Sequence, residues 1–157
     1  MEIITRTPRN GEMQALRRIW RSAFGAADES AFFGFYYAPE FCITAVCDDS
    51  PVAAGYLLPS GRLVCGGQSV PCAMVYGVAA LPEYKSRGFG AAVTRELISL
   101  GRRTGFESIA LCPSDDGLFE YYSARTALRD WFYVCERRSA ISPGLNPLVK
   151  ISPREYA

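Results

Sequence analysis

The sequence predicts an α/β protein whose mixed, mostly antiparallel central sheet is flanked by helices. A long and almost wholly apolar run, Val70–Leu81, is typical of a strand that is buried on both faces. The runs Phe41–Cys47 and Val52–Leu58, separated by turn residues, indicate an antiparallel hairpin. The segment Ala91–Arg103 carries its apolar residues on one stripe, as an amphipathic helix does, and Gly105 ends it. Because the element order is β-α-α-β-β-β-α-β-α-β, it does not fit a series of βαβ units.

The remaining elements follow from local patterns. Apolar residues recur every three or four positions from Met13 to Phe24, and Asn10 precedes them as the predicted N-cap. The other predicted elements are a strand at Ile3–Thr7, a helix that begins at Asp28-Glu29-Ser30 and ends before Pro39, a turn at Pro59-Ser60-Gly61-Arg62, a short strand Leu63-Val64-Cys65, a flexible link Gly66-Gly67-Gln68-Ser69, a strand at Glu107–Cys112, a helix at Gly117–Arg125 and a final aromatic strand at Leu128–Arg137.

The domain organisation follows from the length and from the end of the chain. With 157 residues, of which 49% are hydrophobic, the chain has material for one core, which we assign to residues 1–138. The tail at residues 139–157 has three prolines and little periodicity. Within it, Ser152-Pro153-Arg154-Glu155 has capping-box spacing with proline at the first helical position. This motif is either a frayed terminus or the start of a further element of a longer protein.

Charge and hydropathy exclude two classes of partner. Seventeen basic and sixteen acidic residues leave a net charge of +1 without a basic stripe, which argues against nucleic acid. No apolar run approaches the roughly 20 residues of a membrane span, and the first residues lack the apolar stretch of a signal peptide. We therefore expect a cytoplasmic protein with no membrane partner.

The reactive side chains restrict the chemistry. The chain has no histidine, which excludes Ser-His-Asp and Cys-His catalysis and histidine-ligated metals, so no metal is expected. The six cysteines form no CxxC pair and lie within apolar runs, which favours reduced thiols in the core. They are Cys42, Cys47, Cys65, Cys72, Cys112 and Cys135.

One loop carries the clearest functional signal. Lys85-Ser86-Arg87-Gly88-Phe89-Gly90 leads from the long apolar strand to the N-terminus of the best predicted helix. A helix N-terminus exposes backbone N–H groups and partial positive charge, so it binds anions. Gly88 and Gly90 would allow phosphate oxygens to approach the backbone, while Lys85 and Arg87 add charge. A dinucleotide fingerprint would need glycine where Val93 stands, and no GK[ST] triplet exists. Alternatively, the two glycines only shape a turn.

The loop and its flanks resemble a known family. The segment from Val78 to Ala91, which reads VAALPEYKSRGFGA, is similar to the acetyl-CoA motif [Q/R]-x-x-G-x-[G/A] of the GNAT superfamily of N-acetyltransferases. Lys85 stands at the Gln/Arg position, which departs from the motif but keeps a cation, and Gly88 and Gly90 match it. The resemblance in element order runs from Ile3 to Arg137 and implies a GNAT-like sheet with the motif between its fourth strand and third helix.

The resemblance implies how acetyl-CoA would bind as a co-substrate. Backbone groups of Val78 and Ala80 would pair with the pantetheine arm as though it were an added strand. The long strand and the strand at Glu107–Cys112 would splay apart to admit the thioester. The loop would hold the pyrophosphate through the backbone amides of Arg87, Gly88, Phe89, Gly90 and Ala91, next to Lys85 and Ser86.

Catalytic residues are less clearly marked. Direct transfer requires that the amine lose a proton and that the leaving thiolate gain one. The resemblance implies that Tyr122 is the acid, although Thr126-Ala127 replace the Gly-Phe pair of the family's segment and Tyr121 is an adjacent alternative. The base is left open among several carboxylates, Tyr76 and a water chain. The carboxylates are Glu29, Glu40, Glu83, Asp115 and Asp116.

Three functions remain open. The leading hypothesis is an enzyme that moves acetyl or another short acyl group from CoA to a small-molecule or peptide amine, which the aromatic cluster Phe32–Tyr37 would help to bind. The second is a non-catalytic CoA-binding or sensing domain of a larger protein, because the segment after Tyr122 is altered. In particular, the glycine-rich hairpin and the helix start at Ser152 resemble the N-terminal domain of Eis-like acetyltransferases. The third is an interaction module whose glycine turn binds nothing. A homodimer or a contact with a further domain is compatible with each.

Overall fold

A single five-stranded sheet organises residues 3–130, the part of the chain that the computed structural model describes. The order of strands and helices predicted from the sequence is confirmed as far as the last helix. Short 3-10 turns at Pro39–Phe41 and Pro82–Tyr84 precede the second strand and the third helix. The elements are β1 (Ile4–Arg6), α1 (Met13–Phe24), α2 (Glu29–Phe35), β2 (Cys42–Cys47), β3 (Ser50–Cys65), β4 (Gln68–Ala80), α3 (Phe89–Arg103), β5 (Ser108–Leu111) and α4 (Asp116–Arg125).

The strands pair in sequence order and confirm a mixed, mostly antiparallel sheet. Neighbouring strands from β1 to β4 are antiparallel, whereas β4 and β5 are parallel. Helix α3 provides the crossover that a parallel pair requires. The predicted final strand begins at Leu128, and its first three residues have no regular secondary structure. Its remainder, the residue Cys135 and the tail from residue 139 lie outside the described residues.

The predicted turn at residues 59–62 is wrong. Instead, β3 continues through these residues and pairs with β4 as far as Cys65, so the predicted strand Leu63-Val64-Cys65 is the end of β3. The pairs Pro59↔Ala73 and Arg62↔Pro71 show one extra residue on β3, and Gly61 has a φ of 81°. A β-bulge therefore accommodates residues that would otherwise favour a turn. The chain reverses only at Gly66 and Gly67.

The two faces of the sheet bury different helices. Side chains alternate along each strand, so neighbours such as Tyr56 and Leu57 face opposite sides. Leu57 belongs to a core that α3 covers, and Tyr56 belongs to a core covered by α1 and α2. Leu97 of α3 and Leu16 of α1 are fully buried in the respective cores. The result is a three-layer arrangement in which the sheet lies between the helices.

Helix α1 starts later than its predicted cap. The sequence predicts Asn10 as the N-cap, but the helix begins at Met13 and Glu12 occupies the cap position. The Glu12 carboxylate accepts hydrogen bonds from the Arg9 backbone N–H at 2.6 Å and from the Arg6 guanidinium at 2.8 and 2.6 Å. The hydrogen bond from Arg6 holds the pKa of Glu12 below its ordinary value. This network joins β1 to the start of α1, which Asn10 could not do with its short side chain.

Helix α2 is tied to α1 through a buried carboxylate. Glu29 is buried, and its carboxylate accepts hydrogen bonds from Arg21 and from Arg17, the latter at 2.7 Å. The hydrogen bonds from Arg21 and then Arg17 hold the pKa of Glu29 below its ordinary value. Both arginines lie on α1, so this pairing sets the position of the first turn of α2 and of the residue before it, Asp28.

The cysteines only partly match the prediction of core thiols. All five in the described part are unpaired, with Cys42 and Cys72 buried and Cys47 half-buried. Cys65 and Cys112, however, are exposed, which corrects the prediction for these two. Cys65 lies at the exposed far end of the β3–β4 hairpin, and Cys112 directly follows the half-buried strand β5. No helix within residues 3–130 has the length and apolar character needed to cross a bilayer.

The tight contact between α3 and the sheet gives a first prediction. A Cβ atom on Gly101 would lie 2.4 Å from Cδ1 of Ile109 and 3.3 Å from Cδ2 of Leu57, whereas one on Gly34 in α2 would meet nothing within 4 Å. We expect Gly101→Val to lower the free energy of unfolding by about 1–3 kcal/mol through overpacking. Gly34→Val is the matched control and should change it by less than about 0.5 kcal/mol. Urea denaturation of both variants measures this, and equal effects would contradict the packing.

The Glu29 pairing predicts how stability depends on pH. The unfolded pKa of a glutamate is about 4.3, and the folded pKa of Glu29 lies lower, so the pair stabilises the fold above that pH. The contribution is lost as the pH falls through the folded pKa. We expect Glu29→Gln to lower the melting temperature at pH 7, and the difference from the wild type to shrink in acid. Thermal melts from pH 7 to pH 3 test this, with the exposed Glu120→Gln as the control. A difference that does not change with pH would refute it.

Candidate functional site

The parallel pairing of β4 and β5 ends before β4 does. The last pair is Val75↔Leu111, after which β4 runs on to Ala80. Within the described residues, this last stretch of β4 has a partner strand only on the β3 side. Because β5 itself ends at Leu111, β4 extends beyond it and leaves a gap in the sheet between the end of β4 and the loop that follows β5. The splaying of the two strands stays a prediction.

A glycine bulge coincides with this gap. The pairs Tyr56↔Tyr76 and Ala54↔Ala79 leave one extra residue on β4. Gly77 has a φ of 57°, which is left-handed backbone that glycine adopts without strain. A Cβ atom there would lie 2.9 Å from the Trp20 ring. The sequence reasoning missed Gly77, although a glycine inside an apolar strand is a signal for a bulge.

The backbone beyond the bulge presents an unpaired edge. The Leu81 N–H donates to the Val52 carbonyl at 2.9 Å, so the backbone groups of Leu81 face β3. Backbone directions alternate along a strand, which turns the N–H and C=O groups of Ala80 and Val78 toward the gap. These are the two residues for which the sequence predicts pantetheine binding. An extended ligand can pair with them as an added strand would.

A cleft of about 530 Å³ occupies the gap. Its floor is formed by β4 around the bulge, one wall by α1 and the residue before α2, and the other wall by the loop after β5 and by α4. The lining residues are Trp20, Phe24, Asp28, Met74, Val75, Tyr76, Gly77, Val78, Leu111, Cys112, Pro113, Ser114, Leu118 and Tyr122. Its volume lies within the range of small-molecule sites, roughly 300–1,000 Å³.

The N-terminus of α3 has the geometry of an anion site. Gly88 precedes the helix with a φ of 89°, and the first backbone hydrogen bond of the helix runs from Ala92 to the Gly88 carbonyl at 3.0 Å. The three N–H groups before Ala92 therefore have no acceptor within the helix. Helix α3 spans fifteen residues, so its dipole adds partial positive charge at this end.

Basic side chains surround these N–H groups. Lys85, Ser86 and Arg87 are exposed, so their polar ends are available to a ligand. The Arg87 guanidinium lies 5.3 Å from the centre of the Tyr84 ring and 5.9 Å from that of Phe89, within the range of cation–π contact. Since Phe89 is buried at the start of α3, this contact holds the Arg87 guanidinium next to the helix N-terminus.

Glycine is required at the two positions of the loop for different structural reasons. Gly88 is needed for its left-handed backbone. Gly90 instead provides space, since a Cβ atom on it would lie 3.3 Å from the Tyr121 hydroxyl and 3.8 Å from Cγ1 of Val78. The start of α3 is thus in contact with β4 on one side and with α4 on the other. This brings together the loop and the strand that the sequence assigns to one ligand.

The two candidate tyrosines lie in different places. Tyr122 is buried and lines the cleft, whereas Tyr121 directs its hydroxyl toward Gly90 and its ring toward Arg125 at 5.4 Å. The two rings meet edge to face at 5.2 Å. Burial, and secondarily the neighbouring Tyr121, raises the pKa of Tyr122, while a hydrogen bond with Thr94 acts in the opposite direction. At neutral pH Tyr122 therefore carries the proton that an acid needs.

None of the carboxylates considered from the sequence as a base lines the cleft. Both oxygens of Glu29 are paired with arginines, and Asp115 accepts a hydrogen bond from the Leu118 N–H at 3.0 Å as the cap of α4. The carboxylate that lines the cleft is Asp28, which the sequence indicates only as part of a helix start. Tyr76, the other candidate, does line it.

The aromatic wall of the cleft differs from the predicted one. The sequence points to Phe32–Tyr37, but none of these residues lines the cleft: Phe32 and Phe33 are buried behind it, and Phe35 and Tyr36 are exposed elsewhere. Trp20 and Phe24 of α1 form the wall together with Tyr76, which stacks on Phe32 at 5.7 Å.

Within residues 3–130, no group of three or more His, Cys, Asp or Glu side chains could hold a metal ion.

Several solved structures share this fold. A GCN5-related N-acetyltransferase from Kribbella flavida is 25% identical with a TM-score of 0.65 over 76% of this chain. This chain spans only 32% of the length of that protein. The aminoglycoside N-acetyltransferase AAC(6')-Iy in complex with CoA has a TM-score of 0.70 at 15% identity, with 89% of this chain and 96% of that one covered. Glucosamine-6-phosphate N-acetyltransferase from Arabidopsis thaliana has a TM-score of 0.64 at 9% identity, over 88% and 100%.

Sequence comparison defines the family. No curated protein matches the chain significantly. A family model described as an acetyltransferase (GNAT) domain matches residues 5–125, which is most of the chain and includes the loop at the start of α3, the unpaired edge of β4 and both tyrosines of α4. The chain therefore belongs to the GNAT acetyltransferase domain family.

Proposed function

We propose that this domain transfers an acetyl group from acetyl-CoA to a primary amine by direct attack of the amine on the thioester. One observation carries the proposal: the N-terminus of α3, the unpaired edge of β4 and the cleft adjoin one another. Val78 belongs to the edge and to the cleft, and its Cγ1 lies 3.8 Å from the Cβ position of Gly90 at the helix N-terminus. The fold shared with AAC(6')-Iy, which was solved with CoA, supports the same ligand class.

In this proposal, backbone groups hold the donor. The pyrophosphate receives hydrogen bonds from N–H groups between Arg87 and Ala91 and charge from Lys85 and Arg87. The pantetheine arm pairs with Val78 and Ala80, which leads the thioester into the cleft. Both contacts use groups whose direction is set by the backbone, so they depend little on side-chain identity.

The transfer itself requires two proton movements. A neutral amine nitrogen attacks the thioester carbon to form the C–N bond, the C–S bond breaks, and the electron pair leaves on the CoA sulfur. Tyr122 donates its proton to that thiolate and regains one from water. The proton lost by the amine passes to water or to a carboxylate of the cleft. A positioned acid of this kind contributes roughly 10²–10⁴ in rate.

The loop predicts a substitution that removes donor binding. We expect Gly88→Val to abolish stabilisation by acetyl-CoA, because valine disfavours the left-handed backbone that directs the loop N–H groups. Gly105→Val is the matched control, since Gly105 has a φ of 92° at the opposite end of the same helix and open space around it. Thermal shift measures binding, with about 2.7 kcal/mol expected for the wild type at ligand a hundredfold above its dissociation constant.

Two outcomes of that experiment would count against the proposal. If acetyl-CoA at millimolar concentration left the wild-type melting temperature unchanged, the domain would not bind this donor. If both glycine variants lost binding equally, the loop would not be the site. Binding without thiol release from any amine would instead indicate a CoA-sensing domain, the alternative that the altered residues Thr126 and Ala127 favour.

The catalytic role of Tyr122 has its own test. We expect Tyr122→Phe to reduce kcat at least about a hundredfold while the KM for acetyl-CoA changes little, since only the acidic proton is lost. Tyr121→Phe removes the neighbouring hydroxyl outside the cleft and should leave kcat within about threefold, well below the roughly hundredfold loss expected for a lost acid. Thiol release under saturating substrates measures both. An unchanged kcat in Tyr122→Phe would refute its role as the acid.

A further inference from the structure

Exposed aromatic rings form one side of the cleft. Phe24 and Tyr76 are 48% and 42% exposed, although large aromatic side chains normally contribute to a core. Trp20 lies between them, with ring centres 4.8 Å from Phe24 and 6.2 Å from Tyr76. The three rings, which we call the aromatic wall, are thus continuous. Exposed rings grouped in a concave site indicate contact with a flat or apolar ligand.

Asp28 supplies the charge of the cleft. Among residues 3–130, it is the only charged side chain that lines the cleft. It precedes α2, but its carboxylate makes no capping hydrogen bond and has no ion pair in this part of the chain. The adjacent Glu29 forms the ion pairs with Arg17 and Arg21 of α1. The Asp28 carboxylate therefore remains available to a cationic ligand next to the aromatic wall.

The same lining argues against other classes of acceptor. A phosphate or carboxylate on the acceptor would need a lysine or arginine in the cleft, and none lines it within the described residues. A polyamine or an aminoglycoside carries several ammonium groups, whereas among residues 3–130 the cleft offers one carboxylate. Its opposite side carries no charged side chain among the described residues and combines Leu111, Pro113 and Leu118 with the polar Ser114 and Tyr122. The described part of the cleft therefore offers no counter-charge to most of these groups.

We propose that the acceptor is a small monoamine with an aromatic body, whose ammonium first binds Asp28 and whose ring packs on the aromatic wall. The same nitrogen then loses a proton to water and attacks the thioester as the neutral amine. This inference rests on the proposed acetyl transfer. The cleft of about 530 Å³ also has to admit the thioester, so the room left suits a body of one ring system. An ammonium next to aromatic faces and a carboxylate gains from both contacts. Asp28 is then a binding residue that selects the substrate by charge.

Matched pairs of amines test the charge requirement. Tryptamine and tryptophan differ by one carboxylate, and hexylamine and 1,6-diaminohexane differ by one ammonium. We expect kcat/KM for tryptamine to exceed that for tryptophan by at least about tenfold, the factor that corresponds to one unfavourable charge contact of about 1.4 kcal/mol. Hexylamine should likewise exceed the diamine, and tryptamine should exceed hexylamine. Kanamycin, spermidine and glucosamine 6-phosphate complete the panel, and preference for any of them would overturn the inference.

A substitution tests whether Asp28 determines the selectivity for an acceptor with one ammonium group. Asp28→Asn keeps the shape and a residue suited to a helix start, so we expect the KM for tryptamine to rise about tenfold while the KM for acetyl-CoA is unchanged. Asp49→Asn is the matched control, because Asp49 lies in the exposed turn between β2 and β3 and its φ of 60° is one that asparagine tolerates. An equal KM for tryptamine in both variants would overturn the role of Asp28.

Direct binding separates the failure of this inference from that of the proposed function. Calorimetry of tryptamine with the protein, with and without CoA, reports the acceptor site independently of turnover. If acetyl-CoA binds but tryptamine neither binds nor is acetylated, the acceptor inference is wrong and the proposed transfer stands. If acetyl-CoA does not bind, the transfer is wrong, and tryptamine binding that Asp28→Asn weakens would still support the site. Absence of both would refute the two together.

Discussion

The end of the β4–β5 ladder at Val75↔Leu111 is the constraint on which the site depends. Beyond that pair, β4 keeps its partner on one side only, and the bulge at Gly77 separates the strand into a paired half and an open half. The open half offers backbone groups to a ligand, and the space beside it is the cleft. Because Gly77 also contacts the Trp20 ring closely, the same residue positions the aromatic wall.

Around this gap, the two faces of the sheet supply different parts of the site. Helix α3 and the adjacent α4 provide the anion site and Tyr122, which are parts suited to the acyl donor. Helix α1 and β4 provide the aromatic wall, and the residue before α2 is Asp28; all face the space left for an acceptor. The pairing of Glu29 with two arginines of α1 neutralises the charge next to Asp28 without using Asp28 itself. A structural ion pair and a binding carboxylate thus occupy consecutive positions.

The predicted donor loop could be located in the sequence because its signals are local. The loop from Lys85 to Gly90 joins a strand to a helix, and the hydrogen-bonding groups of a helix N-terminus follow from the helix itself. The same locality explains the errors. Residues Pro59 to Arg62 favour a turn by composition, but the pairing of β3 with β4 absorbs them as a bulge. Asn10 is a good N-cap residue by type. The helix nevertheless begins at Met13, because Glu12, which pairs with Arg6, occupies the cap position.

The sequence by itself determined the α/β class, the order of the elements and the anion loop, since these depend on periodicity and on backbone geometry within a few residues. Only the tertiary structure decided which side chains share the cleft. Tyr76 is distant along the chain from Phe24 and Asp28, and the three have no common pattern, so no local rule brings them together. Their meeting depends on the packing of α1 and α2 against the face of β4. The position of α4 in turn places Tyr122 rather than Tyr121 in the cleft.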